Sequence, residues 1–448
     1  MSQSRTPQLS PEQKARLLQE ARKRRQQPGT QHSDALSARE SVEPVMDVPS
    51  AWYRFDQHPS YQQLRLLRAG ASHYGVDDPY FKVHQGTASA TTVIDGKNCI
   101  NFSSYNYLGL CGHPEVNEAA TEALMRYGTS VSASRLVSGE RPVHRQLEEA
   151  LAEAYGVDAA ITFVSGHATN VTVIGHLLGH RDLVLHDEFI HNSSLQGMLL
   201  SGARRLSFPH NDWQALDQIL REQRRRYERV MIVVEGLYSM DGDYPDLPRF
   251  VELKRRHRAW LMVDEAHSFG VMGATGLGIR EHFNLAGADV DIWMGTLSKA
   301  LAACGGYIAG ESALIDNLRY LAPGFLYSVG MPPPVAAAAH AALRLLREEP
   351  ARVRRLHKNG GAFLKMVRAA GLDTGSSAGL SVIPVITGSS LSAVRLSATM
   401  FNQGINVQPI LYPAVPEQAA RLRFFLSSEH SDAQMEETVR VMLEGLNA

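Results

Sequence analysis

Four apolar runs in the 448-residue chain each end in a short polar stretch whose side chains could do chemistry. Ile161-Thr162-Phe163-Val164 leads into Ser165-Gly166-His167-Ala168-Thr169-Asn170, a glycine-containing turn before a helix, where free amides and the helix's positive end hold a phosphate. Leu183-Val184-Leu185 is followed by His186-Asp187-Glu188 and then His191. Met262-Val263 runs into Asp264-Glu265-Ala266-His267, and Ile292-Trp293-Met294 into Gly295-Thr296-Leu297-Ser298-Lys299. Ligands of parallel sheets bind at the carboxyl ends of the strands, so these stretches would meet in one place. Singly, each has an ordinary reading: the glycine turn as a turn, His191 as a hydrogen-bonded histidine, Asp264 as a helix cap, Lys299 as a solvated lysine.

Together they suit one cofactor. Pyridoxal phosphate needs a lysine for a Schiff base, a phosphate pocket, and a carboxylate at its pyridinium nitrogen so that the ring acts as an electron sink. Asp264 supplies that charge, since an adjacent anion raises the pKa of a cation. An imidazole at His191 can lie flat on the ring, and His267, three residues beyond Asp264, can reach the phenolic oxygen. Ser239, within Glu235-Gly236-Leu237-Tyr238-Ser239-Met240-Asp241-Gly242, comes from another strand end and could join it. No HExxH, Walker A or GxSxG motif occurs, and Gly273-Ala274-Thr275-Gly276-Leu277-Gly278 has the wrong order for a dinucleotide fingerprint. The 18 histidines show no pair at strong ligand spacing, so no metal site is expected.

The elements that must position these groups follow from the hydrophobic pattern. Apolar runs at 159–164, 183–185, 230–234, 260–263, 290–294 and 305–309 read as strands buried on both faces. Helical patterns at 213–226 and 247–257 lie between some of them, and this alternation predicts a mostly parallel sheet with helices on both faces. Residues 91–94 and 99–102, joined through Asp95-Gly96, read as a hairpin, because Asp-Gly accepts the positive φ values of a tight turn. A helix over 335–348 leads into a region of weaker strand regularity. The resulting division is a basic tail and linker at 1–50, an N-terminal segment at 51–110, a large cofactor domain at 111–340 and a small α/β domain at 341–448.

Composition narrows the function classes. Lys and Arg number 45 against 46 Asp and Glu, and this balance argues against a general nucleic-acid or membrane-surface role, which needs a basic excess. Cys99, Cys111 and Cys304 form no CxxC and read as thiols in a reducing compartment. With neither a signal peptide nor a long apolar span recognisable, a cytoplasmic protein is the expectation. The even balance hides one asymmetry: residues 11–28 carry Lys14, Arg16, Arg22, Lys23, Arg24 and Arg25 against Glu12 and Glu20. Ser10-Pro11 would start a helix there, and the segment reads as a solvated tail or as a docking helix for an acidic partner.

The motifs resemble the α-oxoamine synthases of the type I pyridoxal-phosphate fold, aminotransferase class II-like enzymes. The resemblance spans roughly residues 90–430. It runs in order through Asn101-Phe102-Ser103-Ser104-Tyr105-Asn106-Tyr107-Leu108-Gly109-Leu110, the Ser165–Asn170 stretch, His210-Asn211-Asp212, Glu235 to Gly242, Val263 to His267, Thr296 to Lys299, and Met331-Pro332-Pro333. Ser104-Tyr105-Asn106-Tyr107 is similar to serine palmitoyltransferase-like members. Tyr127-Gly128-Thr129-Ser130-Val131-Ser132-Ala133-Ser134-Arg135 with Val137-Ser138-Gly139-Glu140 is similar to members tied to polyketide assembly lines.

The resemblance implies that Lys299 forms the Schiff base, His191 stacks on the ring, Asp264 pairs with its nitrogen, and His267 and Ser239 hold its oxygen. Ser165, Gly166, His167 (through its amide), Thr296 and Ser298 would hold the phosphate. The family is usually homodimeric with shared sites, so Ser328, in Tyr327-Ser328-Val329-Gly330, would reach the neighbouring phosphate; some relatives place Thr at Val329. Arg423 would bind the amino-acid carboxylate, a task suited to guanidinium, with a surface strand arginine as its plain alternative. Asn106 would be a second substrate contact. The implied reaction is a decarboxylative Claisen-type condensation of an amino acid with an acyl thioester, carried by coenzyme A or a carrier protein, giving an α-aminoketone, CO2 and the free thiol. A type I aminotransferase, a non-catalytic subunit of a heterodimeric synthase and a regulator with an aminotransferase-like domain are the rival readings. Lys299 weighs against the second, and the short N-terminal tail against the third.

Overall fold

The computed structural model describes residues 48–73 and 78–447, so the basic segment at 11–28 and most of the expected linker lie outside the described residues. The chain divides between His73 and Tyr74 into two compact units. The first holds two short 3-10 turns, Ser50–Trp52 and Phe55–Gln57, and the helix Pro59–His73.

The second unit contains three sheets. Strands β1 (His84–Gln85), β2 (Thr91–Ile94) and β3 (Lys97–Asn101) open it. The β2–β3 hairpin forms as expected, with Asp95 at φ 50° and Gly96 at φ 75° in its two-residue turn. The central sheet is built from β4 (Ala159–Phe163), β5 (Leu183–Asp187), β6 (Arg204–Phe208), β7 (Val230–Glu235), β8 (Trp260–Asp264), β9 (Ile292–Thr296) and β10 (Gly306–Gly310), in the order β4-β10-β9-β8-β7-β5-β6. Neighbours from β9 through to β6 run parallel, while β10 is antiparallel to both β9 and β4. Strands β5, β7 and β10 are buried at every position, as a sheet covered by helices on both faces requires. Two hydrophobic clusters lie on its faces, one around Leu185, Ile232 and Val263, the other around Val184, Met231 and Met262. Adjacent residues on a strand point to opposite faces, which is why the two clusters interleave in sequence.

Beyond the long helix Pro333–Glu348, the chain adds the helix Ala351–Ala369 and the strands β11 (Val382–Ile386), β12 (Ile405–Asn406), β13 (Gln408–Ile410) and β14 (Arg421–Phe425). β11, β14 and β13 form an antiparallel sheet, whereas β12 pairs in parallel with β3, Ile405 opposite Ile100. The division at 340/341 falls inside one unbroken helix, Pro333–Glu348. The hairpin at 91–101 is joined by ladder hydrogen bonds to the C-terminal β12, so it builds into that layer.

Candidate active site

The polar stretches read from the sequence converge at the carboxyl ends of β4, β5, β7, β8 and β9, with the amino end of antiparallel β10 set between β4 and β9. Ser165 caps the helix Gly166–Leu177, its Oγ accepting from the Ala168 amide at 3.0 Å. This leaves the Gly166 and His167 amides at a helix start, where the backbone dipoles favour an anion. Thr296 Oγ1 donates to the Gly305 carbonyl (2.9 Å) and accepts from the Ser298 amide (3.2 Å), so the end of β9 is folded back over the start of β10. A Cβ placed on Gly166 would stand 3.0 Å from Thr296 Oγ1. The two turns expected to share the phosphate are thus packed against each other, and a side chain at Gly166 would press Thr296 back by a few tenths of an ångström.

Asp264 ends β8 and is buried, its carboxylate accepting from the Ala266 amide (2.9 Å) and from Asn170 Nδ2 (2.8 Å). Both donors are neutral, and among the described residues no ion pair reaches this carboxylate. A buried anion without a cation is unfavourable, and a pyridinium nitrogen would supply one. Asn170 Nδ2 also donates to Ser193 Oγ (2.9 Å), which lies 2.7 Å from His191 Nδ1. His191, exposed at the start of the helix Asn192–Ser201, is thereby tied through two side chains to Asp264. Asn170 was not among the expected site residues; the one sequence signal was its place in the first turn of the Gly166–Leu177 helix.

Lys299 lies in the turn between β9 and β10, its amine 5.5 Å from the centre of the Tyr105 ring and without a hydrogen-bond partner among the described residues. Burial lowers its pKa to about 8, against the opposing attraction of Asp264 and Glu235. Glu235, paired with Asp264 across β7 and β8, is buried with Oε1 unpartnered; burial and then the Asp264 charge push its pKa well above the usual carboxylate range. His267 is buried and shares a 2.7 Å hydrogen bond between Nδ1 and the Tyr107 hydroxyl. Burial, then Lys299 and Arg423, hold its pKa well below the ordinary value, so the ring is neutral. Tyr107 is a second site residue that the sequence did not single out, because its role depends on a contact to a distant strand end.

Arg423 on β14 crosses to the β7 loop, where Nη1 donates to the Ser239 carbonyl (3.0 Å), and its guanidinium lies 4.5 Å from the Phe425 ring centre. Its Nε is buried and unpartnered. Arg423 is therefore turned inward against the Ser239 loop and is not a solvated surface arginine. The expectation that Asn106 contacts substrate meets an amide already engaged at both ends: Nδ2 donates to the Ala88 carbonyl (2.7 Å) and Oδ1 accepts from the Cys111 amide (3.1 Å). Asn106 and Lys299 still line one cavity of about 310 Å³, with Tyr105, Ser104 and Ser298. Ser328 is not brought to this cluster; its Oγ donates to the Val329 carbonyl, in a different hollow beside Arg135 and Phe325. Among the described residues no group of three or more His, Cys, Asp or Glu is placed to hold a metal ion, and no helix is long and apolar enough to cross a membrane.

These features have counterparts in known proteins. Residues 97–442 match the family model described as aminotransferase class I and II. The chain is 42% identical to an 8-amino-7-oxononanoate synthase of Geobacter sulfurreducens over 359 residues, 80% of this chain and 91% of that one. Among solved structures it is similar to a Sphingomonas wittichii serine palmitoyltransferase, with TM-score 0.83 and 31% identity over 87% of this chain and 98% of that one. A serine palmitoyltransferase solved with pyridoxal phosphate superposes equally well, at 29% identity over the same shares. The chain thus belongs to the aminotransferase class I and II family and, within it, to the pyridoxal-phosphate-dependent α-oxoamine synthases.

Proposed function

We propose that the protein condenses an amino acid with an acyl thioester, with loss of CO2 and of the free thiol, to give an α-aminoketone. The observation that carries this reading is one cluster: a lysine amine of lowered basicity with no hydrogen-bond partner, and a buried carboxylate that is hydrogen-bonded by neutral donors alone. Pyridoxal phosphate, when bound, supplies an electron sink for the negative charge left on the amino acid's α-carbon. Lys299 holds the cofactor and then serves as the base that takes the α-proton, a role suited to an amine titrating near 8. Asp264, steadied by Asn170, holds the proton on the ring nitrogen. His191 covers one face of the ring. With the Tyr107 hydroxyl donating to Nδ1, the proton of neutral His267 sits on Nε2, which, with Ser239, donates toward the ring oxygen. The Gly166 and His167 amides, Ser165, Thr296 and Ser298 form the phosphate cradle, and Arg423 binds the amino-acid carboxylate, with Asn106 beside it.

An aminotransferase would use the same cofactor, but the strong similarity to an 8-amino-7-oxononanoate synthase favours the condensation. We further read the working form as a cytoplasmic homodimer. Tyr327 and Val137 are largely exposed apolar residues, and their neighbours Ser328 and Arg135 line one hollow, a face suited to a second copy that would bring Ser328 to the partner's phosphate. An acidic carrier protein as acyl donor suits the basic segment at 11–28.

Lys299→Ala should abolish both the visible absorbance of the lysine-bound cofactor and aminoketone formation. A variant that keeps both refutes the assignment. Mass spectrometry of products from an amino-acid panel offered coenzyme A and carrier-protein thioesters identifies both substrates and the donor. Sedimentation of the same preparation reads the assembly, and deleting residues 1–45 tests the carrier contact.

A further inference from the structure

The motif His210-Asn211-Asp212 has no part in the chemistry above, yet it lies against the site. His210 follows the end of β6, and both of its ring nitrogens face carboxylates: Nδ1 lies 2.9 Å from Asp187 Oδ1, and Nε2 3.0 Å from Asp243 Oδ2. Asn211 Nδ2 also lies 3.2 Å from Nε2, farther than the Asp243 oxygen; a neutral imidazole has one donor, so satisfying both carboxylates requires the imidazolium. Phe189 stacks on the ring at 4.5 Å between centres, and Tyr238 meets it edge-on at 4.5 Å.

The two carboxylates belong to the two loops that matter. Asp187 ends β5, four residues before His191, and also accepts from the Phe189 amide (2.9 Å) and the Asn211 amide (2.7 Å). Asp243 lies four residues after Ser239, and its carbonyl accepts from the Tyr238 amide (2.8 Å), closing the turn that contains Ser239. From the C-terminal region Ser376 Oγ donates to Asp243 Oδ2 (2.8 Å), and the Ala378 amide to the Gly242 carbonyl (3.0 Å).

We propose that His210, as an imidazolium, is a positioning residue that locks the His191 loop to the Ser239 loop and so sets the gap between the group over the cofactor ring and the group at its oxygen. The proposal rests on the reading of those two residues as cofactor contacts. Burial opposes the charge, but the Asp187 and Asp243 carboxylates outweigh it and hold the pKa at about 10. The Asp187 side chain is fully out of water, which strengthens charge-assisted bonds of this kind.

The test is a double-mutant cycle read as the dissociation constant for pyridoxal phosphate, titrated by absorbance on the full chain. His210→Gln, with native circular dichroism, should weaken cofactor binding about tenfold. Combined with Ser239→Ala it should bind within about twofold of the weaker single variant, because the second change removes a group already misplaced. Unchanged affinity in His210→Gln, or losses that multiply, overturn the proposal by leaving His210 a staple without reach into the site. Should His210→Gln fail to fold, Asp243→Asn cuts the same bridge from its other end and carries the same expectation. Without cofactor, 15N spectra should show both His210 ring nitrogens protonated at neutral pH; a neutral ring refutes the idea. Failure of the parent reading shows separately, through Lys299→Ala.

Discussion

Two residues that touch the site only through others, Tyr107 and Asn170, organise it. Tyr107→Phe removes the partner of His267 Nδ1 and leaves the neutral ring free to exchange its proton between nitrogens. Turnover should fall about tenfold, the loss expected when a buried hydrogen bond is removed. The KM for the amino acid should stay near its original value, since Arg423 is untouched; steady-state kinetics on the purified variant separates the two. The position of Lys299, Asp264, His191 and His267 at or just past the ends of neighbouring strands was legible in the sequence because each follows an apolar run, and strand ends are where such sheets place their ligands. Tyr107 and Asn170 were not, because a tyrosine or an asparagine means little until its partner, 160 or 94 positions away, is known. Asn106 shows the converse: its motif pointed to substrate, and its amide is found holding backbone.

Among elements, strands buried on both faces announced themselves as unbroken apolar runs, and their observed ends differ from expectation by a residue or two. β6 escaped because an edge strand can be polar: Arg204, Arg205 and Ser207 are exposed and break the run. The helix expected over 213–226 ends at Gln223 and tightens into a 3-10 turn through Arg226. The direction of β10 could not be read, since a buried antiparallel strand has the same composition as a parallel one. The cradle between the turns after β4 and β9 is the element-scale feature most open to test. Gly166→Ala pushes a methyl group against Thr296, so it should weaken pyridoxal-phosphate binding while leaving the thermal unfolding midpoint within a few degrees of the parent. A titration with free cofactor, repeated with free phosphate as competitor, would show whether the loss lies at the phosphate end.

Across the whole molecule, the His210 bridge makes a pH-dependent contribution to stability. Its pKa rises from 6.5 to about 10 on folding, so the folded state holds the extra proton between those values. The contribution is complete below about 6.5 and disappears as pH climbs through about 10. The groups facing the ring are Asp187 and Asp243 on its nitrogens, Asn211 Nδ2 beside Nε2, and Tyr238 and Phe189 on its edge and face, with Glu188 taking the backbone amide. The gap in unfolding midpoint between the parent and His210→Gln should therefore narrow as pH is raised from 6.5 toward 10; a constant gap would mean the charge has no part in it. The larger architecture was legible as alternation of strand and helix, while the pairing of β12 with β3 was not, because nothing local in either segment records a partner so far along the chain.

The placement of β10 has a consequence for how the chain is made. β4 leaves the ribosome as the first strand of the central sheet, yet its sole ladder partner in that sheet is β10, from Phe163 opposite Gly306 to Ala159 opposite Gly310. While β5 to β9 emerge and assemble side by side, β4 presents a bare apolar strand whose hydrogen-bonding groups have no ladder to join, the condition in which strands adhere to the wrong neighbour. The sheet closes on β4 only when synthesis has passed Lys299, so a nascent chain that has not yet made its lysine turn has an open edge that a chaperone would have to guard.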